Sequence, residues 1–320
     1  MTPRAADWDP RHLPDLSGRT ILVTGANAGL GFFASEQLAG AGANVVMTGR
    51  NPNRLATARA AVLGRAAADG RTTGKVETLL LDTSNLGSVR AAAATVRQRG
   101  RIDGLLLNAG IVHPPKHRET TRDGNELVFA TNVLGHFALA GALLTTLSAA
   151  RGRMVWLGSM ATSLLAKDPA DPQLKTGYTG WRAYVQSKIA TTAVGLEADR
   201  RLRAARVPVK SVVAHPGYST RGRTPGIHGV NEPTRMDRFA DNLQAAVTQS
   251  KERGAWALVR ALVDESVEGG DMWGPQRLVH GQPRRATPAR VTRDPAVGER
   301  LWVVCENATR MRWPFEAARR

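Results

Sequence analysis

Among 320 residues there is one cysteine, Cys305, and a single thiol can form neither an internal disulfide nor a cysteine-rich metal site. A secreted disulfide scaffold is excluded, and a reducing compartment is expected. No apolar run approaches the roughly 18–20 residues that cross a bilayer, and residues 1–18 carry charges and prolines where a signal peptide has an apolar centre. These features predict a soluble, cytoplasmic protein without a membrane span. Acidic residues are also few: 27 against 44 basic ones, a net charge of +17. That excess alone suggests nucleic acid. The arginines, however, are scattered over residues 50–71 and 90–101 and at Arg200, Arg201, Arg203 and Arg206, with neither zinc-finger spacing nor an aromatic RNA-binding pattern. Solvated helix faces in an arginine-rich chain account for them better, and no nucleic-acid partner is expected.

What is present is an ordinary globular composition, 42% hydrophobic and 22% charged with 32 glycines, enough for one large domain or two small ones. Short apolar runs alternate with longer amphipathic ones, the rhythm of βαβ units on a parallel sheet. Strands are predicted at 20–24, 43–48, 76–81, 102–107, 154–157 and 209–214, and helices at 29–41, 54–68, 88–99, 126–147 and 181–206. Most of these strands do not alternate in polarity, as expected where helices cover both faces. The fold class is therefore α/β, a doubly wound parallel sheet. No linker divides the chain, so residues 1–320 are taken as a single domain with an extension at 1–18. Residues 164–180 read as a loop, 219–235 as a loop or lid over the substrate, and 281–295 as irregular. Residues 301–308 form a short helix, and 281–320 as a whole pack back on the core.

Thr24-Gly25-Ala26-Asn27-Ala28-Gly29-Leu30-Gly31 stands between the first strand and first helix. Glycines there permit a sharp turn and close backbone approach, so helix amides can meet a pyrophosphate. The Gly-Lys-Ser/Thr ending of a P-loop is missing. The motif has two readings, a dinucleotide site or a turn kept for packing. The second strand ends in Gly49-Arg50-Asn51-Pro52 with Arg54 beyond, where an NAD site wants an acid. A guanidinium in that place pairs with a 2′-phosphate, which favours NADP(H) over NAD(H); otherwise Arg50 is one more surface arginine.

Tyr184 and Lys188 are four apart in a predicted helix and project from one face. A phenol near its reference pKa of about 10 is a poor acid or base at neutral pH, and a nearby ammonium is expected to lower it. Taken alone, such a pair is more often a surface tyrosine and a surface lysine.

The glycine motif, Asn108-Ala109-Gly110, Asn132, Ser159, the Tyr184/Lys188 pair and Pro216-Gly217 occur in the order that resembles the short-chain dehydrogenase/reductase family, over at least residues 20–220. Asp123-Gly124-Asn125-Glu126, Asn132-Val133-Leu134-Gly135-His136-Phe137, His215-Pro216-Gly217-Tyr218, the later segment 270–275 and Leu301-Trp302 are similar to its retinol dehydrogenase-like branch. The resemblance implies one Rossmann-like domain with the cofactor across the C-terminal edge of the sheet. It makes Tyr184 the acid/base and Lys188 the residue that lowers its pKa and holds nicotinamide-ribose hydroxyls. Ser159 becomes the group bonded to the substrate oxygen, and Asn132 the residue whose backbone holds a water on a proton path to Lys188. On local sequence alone, Ser159 is a loop or cap serine and Asn132 a surface helix residue. Cofactor contacts are implied for Gly25, Asn27, Ala28, Gly29, Leu30, Gly31, Asp82, Thr83, Asn108, Ala109, Gly110, Tyr184, Lys188, Pro216, Gly217 and Thr220, beside Arg50 and Arg54.

Two features depart from the family pattern. Gly158-Ser159-Met160 stands where paired serines are common, and the interval from Ser159 to Tyr184 is long, so the extra loop is expected to shape the substrate entrance. Trp156, Met160, Leu164, Trp181 and Tyr218 are candidates for an apolar wall, although core packing serves Trp156 equally well. Seven dispersed histidines show no metal-ligand spacing; His136 and His215 read as packed or hydrogen-bonded, and no metal is expected. The function expected is NADP(H)-dependent interconversion of a hydrophobic alcohol and its carbonyl. The alternative is a nonenzymatic NADP(H)-binding sensor or interaction module. The family often forms dimers or tetramers through helices at 126–147 and 181–206, which gives a homo-oligomer as one reading, while burial of those apolar helix faces inside one subunit satisfies the pattern equally well.

Overall fold

β1 (Thr20–Val23) is an apolar run with its last three positions buried. It pairs in parallel with β2 (Asn44–Gly49) on one side and β4 (Gly104–Leu107) on the other, Leu22 lying opposite both Val46 and Leu105. This computed structural model describes residues 8–9, 12–164 and 167–319. Residues 1–7 and 10–11 of the expected N-terminal extension, residues 165–166 of the 164–180 loop and the side chain of Leu164 lie outside the described residues. The remaining strands are β3 (Val76–Leu80), β5 (Arg153–Leu157), β6 (Lys210–Ala214), β7 (Ser219–Thr220), β8 (Gln249–Ser250), β9 (Met272–Pro275) and β10 (Pro283–Ala286). Eight strands form the main sheet in the order β10-β9-β6-β5-β4-β1-β2-β3, parallel except for β10, and β7 and β8 pair separately. The strand order reverses between β1 and β4, which places a crevice at their C-terminal ends.

Helices close both faces. α1 (Gly29–Gly40), α2 (Pro52–Ala68) and α10 (Lys251–Val263) cover one face. α3 (Leu86–Arg97), α5 (Gly135–Ala142), α8 (Gly180–Ala204) and α12 (Pro295–Thr309) cover the other. Asparagines start two of them: Asn51 Oδ1 accepts from Arg54 N, and Asn85 Oδ1 from Gly87 N and Ser88 N, each filling amides that the first turn leaves unpaired. Of the arginine cluster at 200–206, Arg200 and Arg201 pair with Glu197, and Arg203 pairs with Asp199.

The structure corrects several expectations. The helix expected at 126–147 runs from Leu127 to Ser148, but α4 (Leu127–Phe129) and α5 are joined by a π-helical turn over Ala130–Leu134, and Leu143 interrupts it before α6 (Leu144–Ser148). At Gly135, where the π-helical turn passes into α5, the backbone packs so closely on Thr83 that a Cβ would collide with its carbonyl. A short α7 (Ala161–Leu164) follows β5. The segment beyond 219 holds the β7–β8 pair and α9 (Arg235–Leu243). The supposedly irregular 281–295 contains β10 and α11 (Arg290–Arg293), while the helix expected at 301–308 runs Pro295–Thr309. α13 (Phe315–Ala318) ends the chain against α6. Trp156 is wholly buried in the core, donating from Nε1 to Ser211 Oγ at 2.9 Å. Among the described residues, no helix is long and apolar enough to cross a membrane.

Candidate active site

Parallel strands carry their following loops to one edge, so residues distant in sequence meet there. Ser159 follows β5, and Thr179 caps α8, its Oγ1 accepting from Arg182 N. One turn into α8, Tyr184 Oη lies 3.2 Å from Ser159 Oγ, which also accepts from Ala161 N at 3.2 Å. A further turn places Lys188, buried, with Nζ donating to the Leu157 carbonyl at 2.8 Å. Burial, with no carboxylate partner among the described residues, pushes this amine down to about 8.

The expected lowering of the Tyr184 pKa by Lys188 is not seen. Burial raises the phenol above its ordinary value, and the bond with Ser159 offsets this only in part. Only the bond with Ser159 works against burial of the phenol, and Lys188 Nζ is bonded to the Leu157 carbonyl instead.

Asn132 sits in the π-helical turn and is no surface residue. Its Oδ1 accepts from Ile111 N at 2.8 Å, and its Nδ2 donates to Ser187 Oγ at 2.9 Å and to Ile111 O at 3.2 Å. It thus ties the segment after β4 to the helix bearing Tyr184. Its backbone carbonyl accepts from Thr191 Oγ1 at 3.3 Å and faces His136 Nδ1 at 3.1 Å. A carbonyl only accepts, so Nδ1 carries the proton. Burial holds the His136 imidazole neutral, down to about 3, and leaves Nε2 to accept from the Thr24 hydroxyl at 3.0 Å. Thr24 Oγ1 in turn accepts from Asn108 N at 2.8 Å and Ala109 N at 2.9 Å.

Sequence reasoning missed Thr24 and His136 as the joint between the glycine-rich turn and Asn132. The signal that could have found them was a hydroxyl at the head of the motif and a histidine one turn after Asn132. His215 is packed as expected, its Nδ1 accepting from Gly217 N at 3.3 Å.

The predicted cofactor residues gather on the same edge. Gly25 has φ +65° and lies so near Ala109 that a Cβ would stand 2.8 Å from its Cα. A Cβ on Gly31 would stand 2.5 Å from Asn108 Nδ2 and from the Gly25 carbonyl. Close packing of the turn therefore requires these glycines. Asn27, Ala28, Gly29 (φ +59°) and Leu30 complete it, Ala28 capping α1 with no side-chain bond. Arg50 and Arg54 are exposed at the end of β2. Asp82 and Thr83 follow β3, and Asp82 Oδ1 accepts from Ser84 N at 2.9 Å and Ser84 Oγ at 2.7 Å, a turn cap. Asn108, Ala109 and Gly110 follow β4, and Pro216, Gly217 (φ +65°) and Thr220 follow β6.

The sequence of residues 19–224 matches the family described as short chain dehydrogenase. The chain belongs to the short-chain dehydrogenase family. This short-chain dehydrogenase is 34% identical over 306 residues to the Polyprenol dehydrogenase of Mus musculus, covering 92% of this chain and 85% of that protein. It is 32% identical to Retinol dehydrogenase 13 of Homo sapiens, covering 90% and 83%. A crystal structure of an uncharacterized protein from Mycobacterium Paratuberculosis superposes with a TM-score of 0.75 at 32% identity, covering 96% of this chain and 99% of that one. The fold is one that binds a dinucleotide, and the residues present fit such a group. The first-turn amides of α1 have no side-chain cap, and no acid stands in that turn. Thr220 Oγ1 is buried with no hydrogen-bond partner among the described residues.

Proposed function

We propose that this short-chain dehydrogenase is an active NADP(H)-dependent oxidoreductase of the retinol dehydrogenase-like branch, interconverting a hydrophobic primary or secondary alcohol with its aldehyde or ketone. The observation that carries the reading is Tyr184 Oη set 3.2 Å from Ser159 Oγ, with Lys188 one turn behind, on the sheet edge that bears the glycine-rich turn.

The bound nicotinamide supplies or accepts the hydride. In reduction, Ser159 and Tyr184 hold the substrate oxygen as negative charge builds on it, and Tyr184 gives it a proton. In oxidation Tyr184 takes that proton back. Lys188 supplies positive charge behind the phenol, and Asn132 fixes the spacing between α8 and the segment after β4. Among the cofactor contacts, Asn108–Gly110 would border the adenosine ribose, Asp82 the adenine, and Pro216, Gly217 and Thr220 the nicotinamide end. Arg50 and Arg54 would take the 2′-phosphate: both are exposed, neither has an ion-pair partner among the described residues, and no acid ends β2.

An apolar substrate is supported by the names of two relatives, which refer to polyprenol and retinol. It is also supported by half-exposed Trp181 and Tyr218 around the site, Trp181 lying 6.0 Å from the Tyr184 ring between centroids. The chain leaves the edge at β7 and returns at β8, so the intervening residues form a flap with both ends pinned together. On its α9, Met236, Phe239 and Leu243 are 72%, 62% and 75% exposed on one face, while Asp241 on the other accepts from Gly222 N at 2.6 Å. Such an apolar face gains from covering an apolar ligand.

Purified protein is expected to oxidise NADPH with long-chain aldehydes and ketones and to reduce NADP+ with the alcohols, while small anionic carbonyls are turned over poorly. Arg50→Ala/Arg54→Ala is expected to weaken NADPH about tenfold or more and NADH little. Selective turnover of small anions, or equal losses for the two cofactors, would refute the substrate and cofactor assignments respectively.

A further inference from the structure

We propose that Lys251 binds the pyrophosphate of the dinucleotide, reaching the glycine-rich turn from a part of the chain more than 200 positions away. The proposal rests on the reading that this edge binds a dinucleotide, and adds to it a residue lying beyond the stretch matched to the family.

Lys251 is the first residue of α10. Its side chain lies over the turn: a Cβ built on Gly29 would stand 3.6 Å from Lys251 Cδ and 4.0 Å from Nζ. The ammonium is partly buried and has no ion-pair partner among the described residues. Of the charges that act on it, Arg221 repels, and Asp241 attracts from beyond ion-pair reach, its carboxylate being bonded to Gly222 N. Burial and that repulsion push its pKa below the ordinary lysine value.

The same point faces the head of α1, which has neither a side-chain cap nor an acid in its first turn, so the positive end of that helix is unneutralised. The neighbouring strand supplies a third donor. Thr220 pairs with Ser250, the residue before Lys251, and its Oγ1 is buried and unpartnered in a side chain only 9% exposed. An ammonium, a helix N-terminus and an orphan hydroxyl held together repel or go unsatisfied by themselves, and an anion between them satisfies all three.

The placement is built rather than loose. Lys251 N donates to Thr224 Oγ1 at 2.9 Å, and Gln37 Nε2 on α1 donates to the Glu252 carbonyl at 3.2 Å. Gly254 packs so closely on Ser219 and Leu30 that any Cβ would collide with both. The geometry also selects the phosphate. α10 packs against β4, β5 and β6, on the opposite side of β1 from β2, where Arg50 and Arg54 stand. Lys251 therefore faces the group shared by NADH and NADPH, not the 2′-phosphate.

The test is calorimetric titration of full-length protein with NADPH and with NADH, for wild type, Lys251→Met and Lys251→Arg, alongside thermal unfolding without cofactor. Lys251→Met is expected to weaken both cofactors by a similar factor, about tenfold or more. Lys251→Arg should restore much of the loss, and the loss should shrink in high salt. Cofactor-free unfolding of Lys251→Met should occur no lower than in wild type, because the substitution removes an uncompensated charge. Unchanged affinity would overturn the assignment, as would a loss confined to NADPH or a fall in the cofactor-free unfolding temperature. Wild type that binds neither dinucleotide would instead remove the reading beneath it.

Discussion

Lys188 is the most expensive side chain at the site. Its ammonium is buried, its partner is the neutral Leu157 carbonyl, and its pKa falls from 10.5 to about 8. A lysine whose folded pKa is depressed destabilises the fold wherever it stays protonated. The cost is fully present below pH 8 and is relieved as pH rises towards 10.5, where the unfolded chain also loses its proton. The difference corresponds to about 3 kcal/mol at neutral pH. Lys188→Met is therefore expected to raise stability at pH 7 by up to about 3 kcal/mol while abolishing turnover, and the two urea curves should converge near pH 10. Lower stability of the variant at pH 7 would show that the Leu157 bond outweighs the buried charge. The pairing of Tyr184 with Lys188 was legible because helical spacing fixes it. The direction of the Tyr184 pKa was not, because it depends on how deeply the fold buries the phenol and on a bond to Ser159, 25 positions away. The part played by His136 was hidden in the same way, since its partner Thr24 lies 112 positions off.

At the scale of elements, α8 shows how the chain spends its apolar faces. Fifteen of its 25 residues are buried, and α11 and α12 lie against it. Leu301, Trp302 and Cys305 of α12 are wholly buried, and Trp302 meets Phe137 of α5 edge-on at 4.8 Å between centroids. Trp313 and Phe315 extend the same aromatic cluster. The helices at 126–147 and 181–206 that family resemblance offered for assembly are thus covered by the chain's own C-terminal helices. Light scattering across a concentration series is expected to give the 34.3 kDa of one chain; a dimer that persists on dilution would require another face. The central βαβ units were legible because long apolar and amphipathic runs announce them. The segments from β7 to β10 were not: these strands are two to four residues long, too short for either period to register. α9 was missed for a different reason: it is short and buries no residue, its Met236, Phe239 and Leu243 facing away from the body among charged neighbours.

For the molecule as a whole, seven parallel strands bring the glycine-rich turn, Asn132, Ser159, Tyr184 and Lys188 to one edge of one sheet. Order along the chain becomes proximity in space, which is why motif spacing anticipated the site while the contacts joining its parts came only from the fold. The central claim is that this edge performs hydride chemistry and does not merely bind a nucleotide. The most direct measurement compares wild type and Tyr184→Phe for NADPH-coupled reduction of a long-chain aldehyde, with NADPH affinity measured on the same samples. Wild type should turn over, and Tyr184→Phe should lose at least about a thousandfold in kcat while binding NADPH with unchanged affinity. Equal turnover by the two proteins would contradict the acid/base role, and NADPH binding by wild type without turnover on any hydrophobic carbonyl or alcohol would make the protein a cofactor-binding module instead.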